Sequence, residues 1–323
     1  MAARFLALVA AVVMVVGAVV ARDRLDDGDK DETAERSGRL ELVCATELQP
    51  VCDAIDAAES GVNVTVEAAT TTADRLKSVD ADDAVIDGWL TPGPWGEIVD
   101  ASRAPSAGTL FDRPGDALAR SPFVLAVWKD KRARLACADP VDLGCVGDAV
   151  SARGFRLGAA ADDQAEGVLV DAALGTGHIK NANFATNDLG ETDLADWITG
   201  VDANVDRVGR NPGGRSFAEM LTFGSAVADG FLSTEAEVSP QLATAAKRDQ
   251  VDLVQLVPVA TADVRFAPRL GDRGKRLGEI VRGDRAREAL RSSGWRVDGR
   301  PPLPDDDGLP SAGVLQALRD ITR

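Results

Sequence analysis

The sequence lacks several residue types that common enzyme chemistry requires. Its 323 residues include no tyrosine and one histidine, His178, and aromatic residues make up 4% of the chain. It contains neither the Gly-x-Ser-x-Gly motif of serine hydrolases nor a glycine-rich phosphate-binding loop. His178 has no evident partner in the sequence and is expected at the surface. We therefore predict that the protein is not an enzyme and needs no cofactor.

Basic residues are too few for a nucleic-acid-binding protein. The chain has 36 Lys and Arg against 52 Asp and Glu, a net charge of −16, whereas phosphate-backbone binding depends on Lys and Arg. We predict no nucleic-acid partner. Residues 265–300 are the exception, with eleven basic and five acidic side chains. They form either solvated, arginine-rich helix faces or a docking surface for an acidic partner.

One long apolar run lies near the N-terminus. Residues 5–21 carry no charge, Arg4 precedes them, and small residues suited to signal-peptidase cleavage stand at Val19 and Ala21. The run is also barely long enough to span a bilayer. We predict that residues 1–21 are a signal peptide or an N-terminal membrane anchor, and that residues 22–37 are a charged linker. The remainder would be extracytoplasmic, either secreted or anchored to the cell membrane.

The four cysteines form two pairs that are close in sequence, Cys44 with Cys52 and Cys137 with Cys145. Neither pair has Cys-x-x-Cys spacing, and with a single histidine this argues against a zinc site. Four cysteines allow three disulfide connectivities. We favour the two local disulfides, which fit an exported protein, over free buried thiols.

The first part of the folded region alternates strands and helices. Strands are predicted at Leu40–Ala45, Val62–Val66 and Ala84–Leu90, with a helix after each of the first two. This order indicates an α/β fold with a parallel sheet. Ligands of such sheets bind beyond the carboxyl ends of the strands, which here are Thr46, residues 70–72 and Trp89.

The second part begins with a buried strand at Arg120–Trp128, whose Pro122 fits only near the strand's start or on an edge. Further elements follow: a strand at Phe155–Ala160, a helix from Ser216 through Phe231, a brief strand at Ala236–Val238 and an apolar run at Val251–Val259. Capping boxes are predicted for Thr46 with Gln49, Asp163 with Glu166, and Ser216 with Glu219.

The order and spacing of these segments resemble the type II periplasmic-binding-protein-like solute-binding proteins, in particular actinobacterial extracellular substrate-binding proteins related to the molybdate-binding branch. The resemblance covers residues 38–323. It implies two lobes, each a mixed sheet flanked by helices, joined by two crossover strands. Lobe one would hold 38–125 plus 256–323, and lobe two 126–255. The runs at 120–128 and 251–259 would be the crossovers and should lie side by side.

The resemblance also implies ligand contacts at strand ends and helix starts that face the cleft. One wall would hold Thr46, Thr71, Trp89 and Ser121, and the other Asp163, Gln164, Ser216 and Glu235. Several of these residues have a structural alternative: Thr46 and Ser216 as helix caps, Trp89 as a core residue, Ser121 as a strand start, and Glu235 as part of an ion pair.

From these features we predict an exported solute-binding protein that captures a small-molecule ligand and presents it to a membrane permease of an ABC-type importer. The acidic run at 162–166 favours a cationic or polar organic ligand over an oxyanion. The alternative is a membrane-anchored ectodomain that uses the same scaffold for sensing or protein interaction.

Overall fold

The computed structural model describes residues 38–113, 115–181, 184–191, 193–207, 216–298 and 308–322. The predicted signal or anchor segment, the charged linker and a turn predicted at 211–214 lie outside these ranges. Eleven strands occur in the described part: β1 Leu40–Ala45, β2 Val62–Glu67, β3 Gly88–Pro92, β4 Ala119–Trp128, β5 Val141–Asp142, β6 Leu157–Ala159, β7 Asp206–Arg207, β8 Gly230–Thr234, β9 Val251–Val257, β10 Thr261–Pro268 and β11 Arg296–Val297.

Thirteen α-helices accompany them in the same ranges: α1 Gln49–Ala58, α2 Ala69–Ser78, α3 Trp95–Ser102, α4 Arg132–Leu135, α5 Leu143–Ser151, α6 Ala165–Ile179, α7 Asp188–Glu191, α8 Leu194–Asp202, α9 Phe217–Phe223, α10 Glu235–Thr244, α11 Asp272–Val281, α12 Asp284–Ser292 and α13 Ala312–Thr322. None of the helices in the described ranges has the length and apolar content needed to cross a membrane.

The strands form two sheets that share one long strand. In the first sheet β2, β1 and β3 run parallel, and β10 lies antiparallel between β3 and β4. In the second sheet β8, β6 and β7 run parallel to one another, and β9 and β8 flank β4 on its two sides. We call the first sheet with its helices lobe one, and the second sheet with its helices lobe two.

Strand β4 crosses from one lobe into the other. Residues 119–122 pair with β10 and β11 in lobe one, and residues 123–128 pair with β8 and β9 in lobe two. The partners change at Pro122 because proline has no N–H to continue the ladder. The second apolar run returns beside it, since Val124 pairs with Gln255 and Trp128 with Val251. The predicted neighbourhood of the two runs is confirmed. The predicted lobe limits at 125/126 and 255/256 stay a prediction.

The apolar run of β4 is continuous because both faces of the sheet are covered in lobe two. Phe123, Leu125 and Val127 contribute to the main core, which extends through both lobes. Val124 and Trp128 alternate with them and pack in a separate cluster beneath α9. A strand that is buried on both faces gains no advantage from alternating polar residues.

Both predicted local disulfides are present, Cys44–Cys52 and Cys137–Cys145, and no cysteine is free. The first ties the carboxyl end of β1 to α1. The second ties the segment after α4 to the first turn of α5. Each closes a loop between cysteines eight residues apart. Because each disulfide restricts the unfolded chain, it stabilises the folded protein by about 2–3 kcal/mol.

Two of the three predicted capping boxes are wrong. Thr46 opens a short 3-10 turn, and its hydroxyl donates to Glu47 Oε2 at 3.3 Å instead of capping α1. Helix α6 begins at Ala165, two residues after Asp163, and neither residue of that predicted box caps it. The third box, Ser216 with Glu219, is confirmed at the start of α9.

The segment after α9 also differs from the sequence prediction. The helix ends at Phe223, because Gly224 adopts φ +83°, a conformation that terminates helices. Phe231 therefore lies in strand β8 and not on a helix. The brief strand predicted at Ala236–Val238 is the first turn of α10. Strand β10 was not predicted, and Ala84–Asp87 precedes β3 without belonging to it.

Candidate functional site

A cavity of about 450 Å³ lies between the two lobes, where the carboxyl ends of parallel strands from both sheets face each other. This is where the topology of open α/β sheets places ligands. Its walls are Thr46, Glu47, Gln49, Pro50 and Asp53 from lobe one, and Ala160, Gln164, Glu166, Ser216, Phe217, Phe231, Ser233 and Glu237 from lobe two.

A second cavity of about 290 Å³ adjoins the first. The two share Glu47, Pro50, Glu166 and Glu237 as lining residues, so they are compartments of one cleft. The second compartment extends between α10 and the end of α12, where Ser292, Ser293 and Trp295 complete its wall. We refer to the two compartments together as the cleft.

Three polar contacts hold the lobes together around the cleft. The backbone N–H of Glu166 donates to Glu47 Oε1 at 2.9 Å. The backbone N–H of Thr70 donates to the carbonyl oxygen of Asp163 at 3.1 Å. Beside the second compartment, Glu235 of α10 pairs with Arg296 of β11. These contacts join the start of α6 and the start of α10 to lobe one.

Glu166 is the most deeply placed acidic side chain of the cleft, with 4% of its surface exposed. Its Oε1 accepts hydrogen bonds from the Ser233 hydroxyl and the Thr234 N–H, both at 2.6 Å. Burial, together with the nearby carboxylates of Glu237 and Glu47, raises the pKa of Glu166 to about 8, although the two hydrogen bonds oppose this shift. Glu166 is therefore protonated at neutral pH in this arrangement.

The other two glutamates show the same tendency. Burial raises the pKa of Glu47, and the charge of Glu237 adds to the effect, against the hydrogen bond from the Glu166 N–H. Partial burial of its carboxyl group raises the pKa of Glu237, although the residue as a whole is exposed and the hydrogen bond from Gln241 opposes the shift. Gln241 Nε2 donates to this carboxyl at 2.6 Å. The cleft thus collects carboxyl groups that a cation would stabilise in their ionised form.

The structure brings three of the eight predicted contact residues into the cleft. Thr46, Gln164 and Ser216 line the larger compartment. Asp163 and Thr71 are exposed and lie beside the Thr70–Asp163 contact between the lobes, outside the cleft lining. Each lobe therefore contributes at least one predicted residue to the cavity.

The other three have structural partners. Trp89 is buried and packs against Trp95 and Phe111, with ring centroids 6.0 and 6.3 Å apart. The buried Ser121 hydroxyl accepts the backbone N–H of Ala236 at 2.9 Å, which satisfies a donor in the first turn of α10. Glu235 forms the ion pair with Arg296 described above. Their role in ligand binding stays a prediction.

Sequence reasoning missed the carboxyl groups of Glu47 and Glu237. Glu47 lies two residues after Ala45, the last residue of β1, so its position near a strand end was a readable signal. Glu237 was not recognised as a cleft residue because Ala236–Val238 was predicted to be a strand. Glu166 was predicted as a helix cap and as part of the acidic run 162–166. Its carboxyl group does not cap its own helix but accepts hydrogen bonds from Ser233 and Thr234.

Two charged clusters outside the cleft have structural roles. The fully buried Arg207 forms ion pairs with Asp162, Asp171 and Asp202, and it donates to the carbonyl oxygen of Gly167 at 3.2 Å. It thereby anchors the loop that leads into α6. His178 stacks on Trp197 with ring centroids 4.2 Å apart, and its Nε2 lies 3.0 Å from Asp193 Oδ1. Neither cluster lines the cleft.

A separate cavity of about 250 Å³ lies within lobe one, between α3, β10 and the segment around Phe111. No residue of lobe two lines it, so it is not part of the cleft between the lobes. Within the described residues no group of His, Cys, Asp and Glu has an arrangement that could hold a metal ion.

Comparison with known proteins identifies the fold. No protein-family model matches the sequence, and no curated protein matches it. Solved structures do match. The Trichodesmium protein IdiA (FutA), in complex with iron and citrate, has a TM-score of 0.56 at 13% identity, covering 88% of this chain and 97% of that chain.

Two further solved structures agree. A periplasmic thiamin-binding protein has a TM-score of 0.55 at 12% identity, covering 88% of this chain and 95% of that chain. The sulfate-binding protein SubI of Mycobacterium tuberculosis has a TM-score of 0.52 at 16% identity, covering 85% and 95%. This chain has the two-lobed, type II periplasmic-binding-protein-like fold that was predicted.

Proposed function

We propose that this protein is an exported solute-binding protein that captures a small molecule in the cleft between its lobes and delivers it to the permease of an ABC-type importer. The observation that carries the proposal is the cleft itself. Its walls come from both lobes and include strand ends, helix starts and convergent polar groups. The lobes are joined by strands that can act as a hinge.

Two further observations support the proposal. One of the similar structures is a complex with iron and citrate, and two are named as thiamin- and sulfate-binding proteins, so this fold serves small ligands of several chemical classes. Both disulfides fit an oxidising, extracytoplasmic location. The predicted kinship with the molybdate-binding branch has less support, because the carboxyl groups of the cleft would repel an oxyanion.

The alternative role as an ectodomain for protein interaction drew on the basic region 265–300. Several of its arginines are engaged within the protein. Arg273 pairs with Asp87 at 2.7 Å, Arg287 pairs with Asp298, and Arg296 pairs with Glu235. This pattern favours a structural role for the region over an acidic docking partner, and ligand capture over protein interaction.

Native mass spectrometry of the exported protein tests the proposal. We expect a bound small molecule, or uptake of one from a metabolite extract, with a Kd in the micromolar range or below. Gln49 is exposed and lines the larger compartment, so Gln49→Trp should fill the cleft without disturbing the core. This variant should lose the adduct.

The control variant is Ala57→Trp, an exposed position on the same helix that does not line the cleft. It should retain the adduct. A protein that takes up no small molecule, or one whose adduct survives Gln49→Trp, would contradict the proposed function.

A further inference from the structure

The charged side chains that line the cleft in the described part of the chain are all acidic. Four carboxyl groups line its two compartments, from Glu47, Asp53, Glu166 and Glu237. Among the described residues that form these walls there is no lysine, arginine or histidine. A ligand that enters this cleft therefore meets carboxyl groups, and none of the described wall residues offers a basic side chain to it.

Glu166 supplies a second and independent observation. Its side chain is 4% exposed, yet it lines both compartments of the cleft. Oε1 is fully engaged by Ser233 and Thr234, whereas Oε2 makes no hydrogen bond to any residue in the described part of the chain. Oε2 is not one of the buried side-chain atoms that lack a partner in the described part of the chain, so it is open to the cleft. It can accept hydrogen bonds from a ligand once Glu166 is ionised.

Aromatic rings stand beside these carboxyl groups. Phe217 and Phe231 form a tilted pair, with centroids 5.6 Å apart, on the wall of the larger compartment. Trp295 lines the smaller compartment. Aromatic faces attract ammonium groups and also cover the apolar body of an organic ligand. Because the carboxyl groups are not arranged to hold a metal ion in the described residues, the combination fits an organic cation better than a bare one.

We propose that the ligand of this cleft is a small organic ammonium ion whose charged group binds Glu166 Oε2 between Glu47 and Glu237, with its apolar part against Phe217 and Phe231. This inference rests on the proposed function and specifies its ligand class. The ammonium group would donate its N–H protons to the free oxygen, or, if it is quaternary, would contact the carboxylates and the rings by charge alone.

Binding of such a cation is linked to proton release. The groups that face Glu166 are Glu47 from lobe one and Glu237 from α10, with Asp53 further along the same wall. All are acidic, so they favour the protonated form of Glu166 while the cleft is empty. A bound ammonium ion reverses that balance, and Glu166 gives up its proton. The affinity for the cation should therefore rise with pH. The rise should level off above about pH 8, because Glu166 is then ionised even without the ligand.

A thermal-shift and calorimetric experiment tests the inference on the exported full-length protein. The probes are three cations (choline, putrescine and agmatine), three anions (sulfate, molybdate and citrate) and neutral glucose, each at millimolar concentration. At pH 8.5 we expect at least one cation to raise Tm by several degrees, with a smaller rise at pH 6. Titrations in two buffers of different ionisation enthalpy should detect proton release at pH 7.

Two variants separate a cleft effect from a general charge effect. Glu166→Gln keeps an acceptor for Ser233 and Thr234 but cannot ionise, so it should weaken cation binding at least tenfold and abolish proton release. Asp249→Asn removes one charge from a side chain that is 95% exposed, and it should change the affinity less than twofold.

The outcomes distinguish this inference from the proposed function. Binding of an anion or of glucose that Gln49→Trp abolishes would overturn the cation inference and leave the solute-binding function standing. If none of the cations binds, or if a cation binds equally well to Glu166→Gln, the inference is overturned as well. The adduct measurement described above decides the proposed function separately.

Discussion

Glu166 is buried beside the carboxyl groups of Glu237 and Glu47, and this makes the stability of the protein depend on pH. The native protein holds a proton on Glu166 between the ordinary pKa of 4.5 and the native value of about 8. The unfolded chain has already released that proton. Raising the pH through this window therefore lowers the free energy of unfolding, because the unfolded state binds fewer protons than the native state.

We predict that Glu166→Gln and the wild type have equal stability near pH 5. The variant should become more stable than the wild type by on the order of 4 kcal/mol at pH 9, because a buried carboxylate beside Glu47 and Glu237 no longer forms. Urea denaturation at both pH values, without ligand, measures the difference. Glu279→Gln, a change at an exposed carboxyl group on α11, should leave the pH dependence unaltered. An identical pH profile for Glu166→Gln and the wild type would contradict the assignment.

Single residues were predictable where the signal is local. The disulfides followed from cysteine spacing, and the Ser216–Glu219 box followed from residue types three positions apart. Thr46 and Asp163 fit the same pattern and yet do not cap. A 3-10 turn separates Thr46 from α1, and the carboxyl group of Glu166 has a better partner in β8. Such tertiary competition between partners distant in sequence has no local signature.

At the scale of elements, the contact between β4 and α10 has consequences for Ser121. This residue stands where β4 leaves lobe one, and its hydroxyl accepts the Ala236 N–H in the first turn of α10. We predict that Ser121→Ala lowers the free energy of unfolding by about 1–3 kcal/mol, because a buried helix donor loses its acceptor. Chemical denaturation measures the loss.

The matched control is Ser78→Ala at the exposed end of α2, which should change stability by less than about 0.5 kcal/mol. A Ser121→Ala variant that keeps its stability but loses ligand affinity would show that the hydroxyl serves the ligand and not the helix.

The elements themselves were predicted unevenly. Strands β1 and β4 were recognisable as short apolar runs, and β2 as an alternating segment. Helices α11 to α13 were recognisable because their apolar residues recur at helical spacing. The segment from Phe217 to Val238 was misread, because Phe217, Val227 and Phe231 happen to continue a helical spacing beyond Gly224. Because of that error, the position of the Glu237 carboxyl group in the cleft was not predicted. Strand β10 was missed because it carries Asp263 and Arg265 within an otherwise buried strand.

At the scale of the whole molecule, helix α13 joins the lobes away from the crossover strands. It packs on α3 of lobe one and on α6 and α8 of lobe two. Arg319 of α13 pairs with Asp74 of α2 at 2.7 Å and lies over the Trp95 ring, while Leu315 and Leu318 are fully buried. Because one helix contributes core residues beside both lobes, it couples their stabilities.

We predict that the double variant Leu315→Ala/Leu318→Ala loses this coupling. Each truncation costs about 2–5 kcal/mol. We expect one calorimetric unfolding transition for the wild type and two for the double variant. Differential scanning calorimetry of the ligand-free protein makes the measurement. Asp320→Ala, at an exposed position of the same helix, should keep one transition near the wild-type Tm. A lower Tm with one undivided transition would mean that α13 stabilises the protein without coupling its lobes.

The position of β10 between β3 and β4 also constrains how the protein is made. Residues 261–268 fill the centre of the sheet in lobe one, so that sheet stays incomplete until almost the entire polypeptide has left the ribosome. Such late, long-range pairing slows folding. A chain that remains uncompacted during synthesis can still be threaded through a narrow translocation pore. For the export proposed above, this order of strands would keep lobe one uncompacted during passage, and the two disulfides would form afterwards.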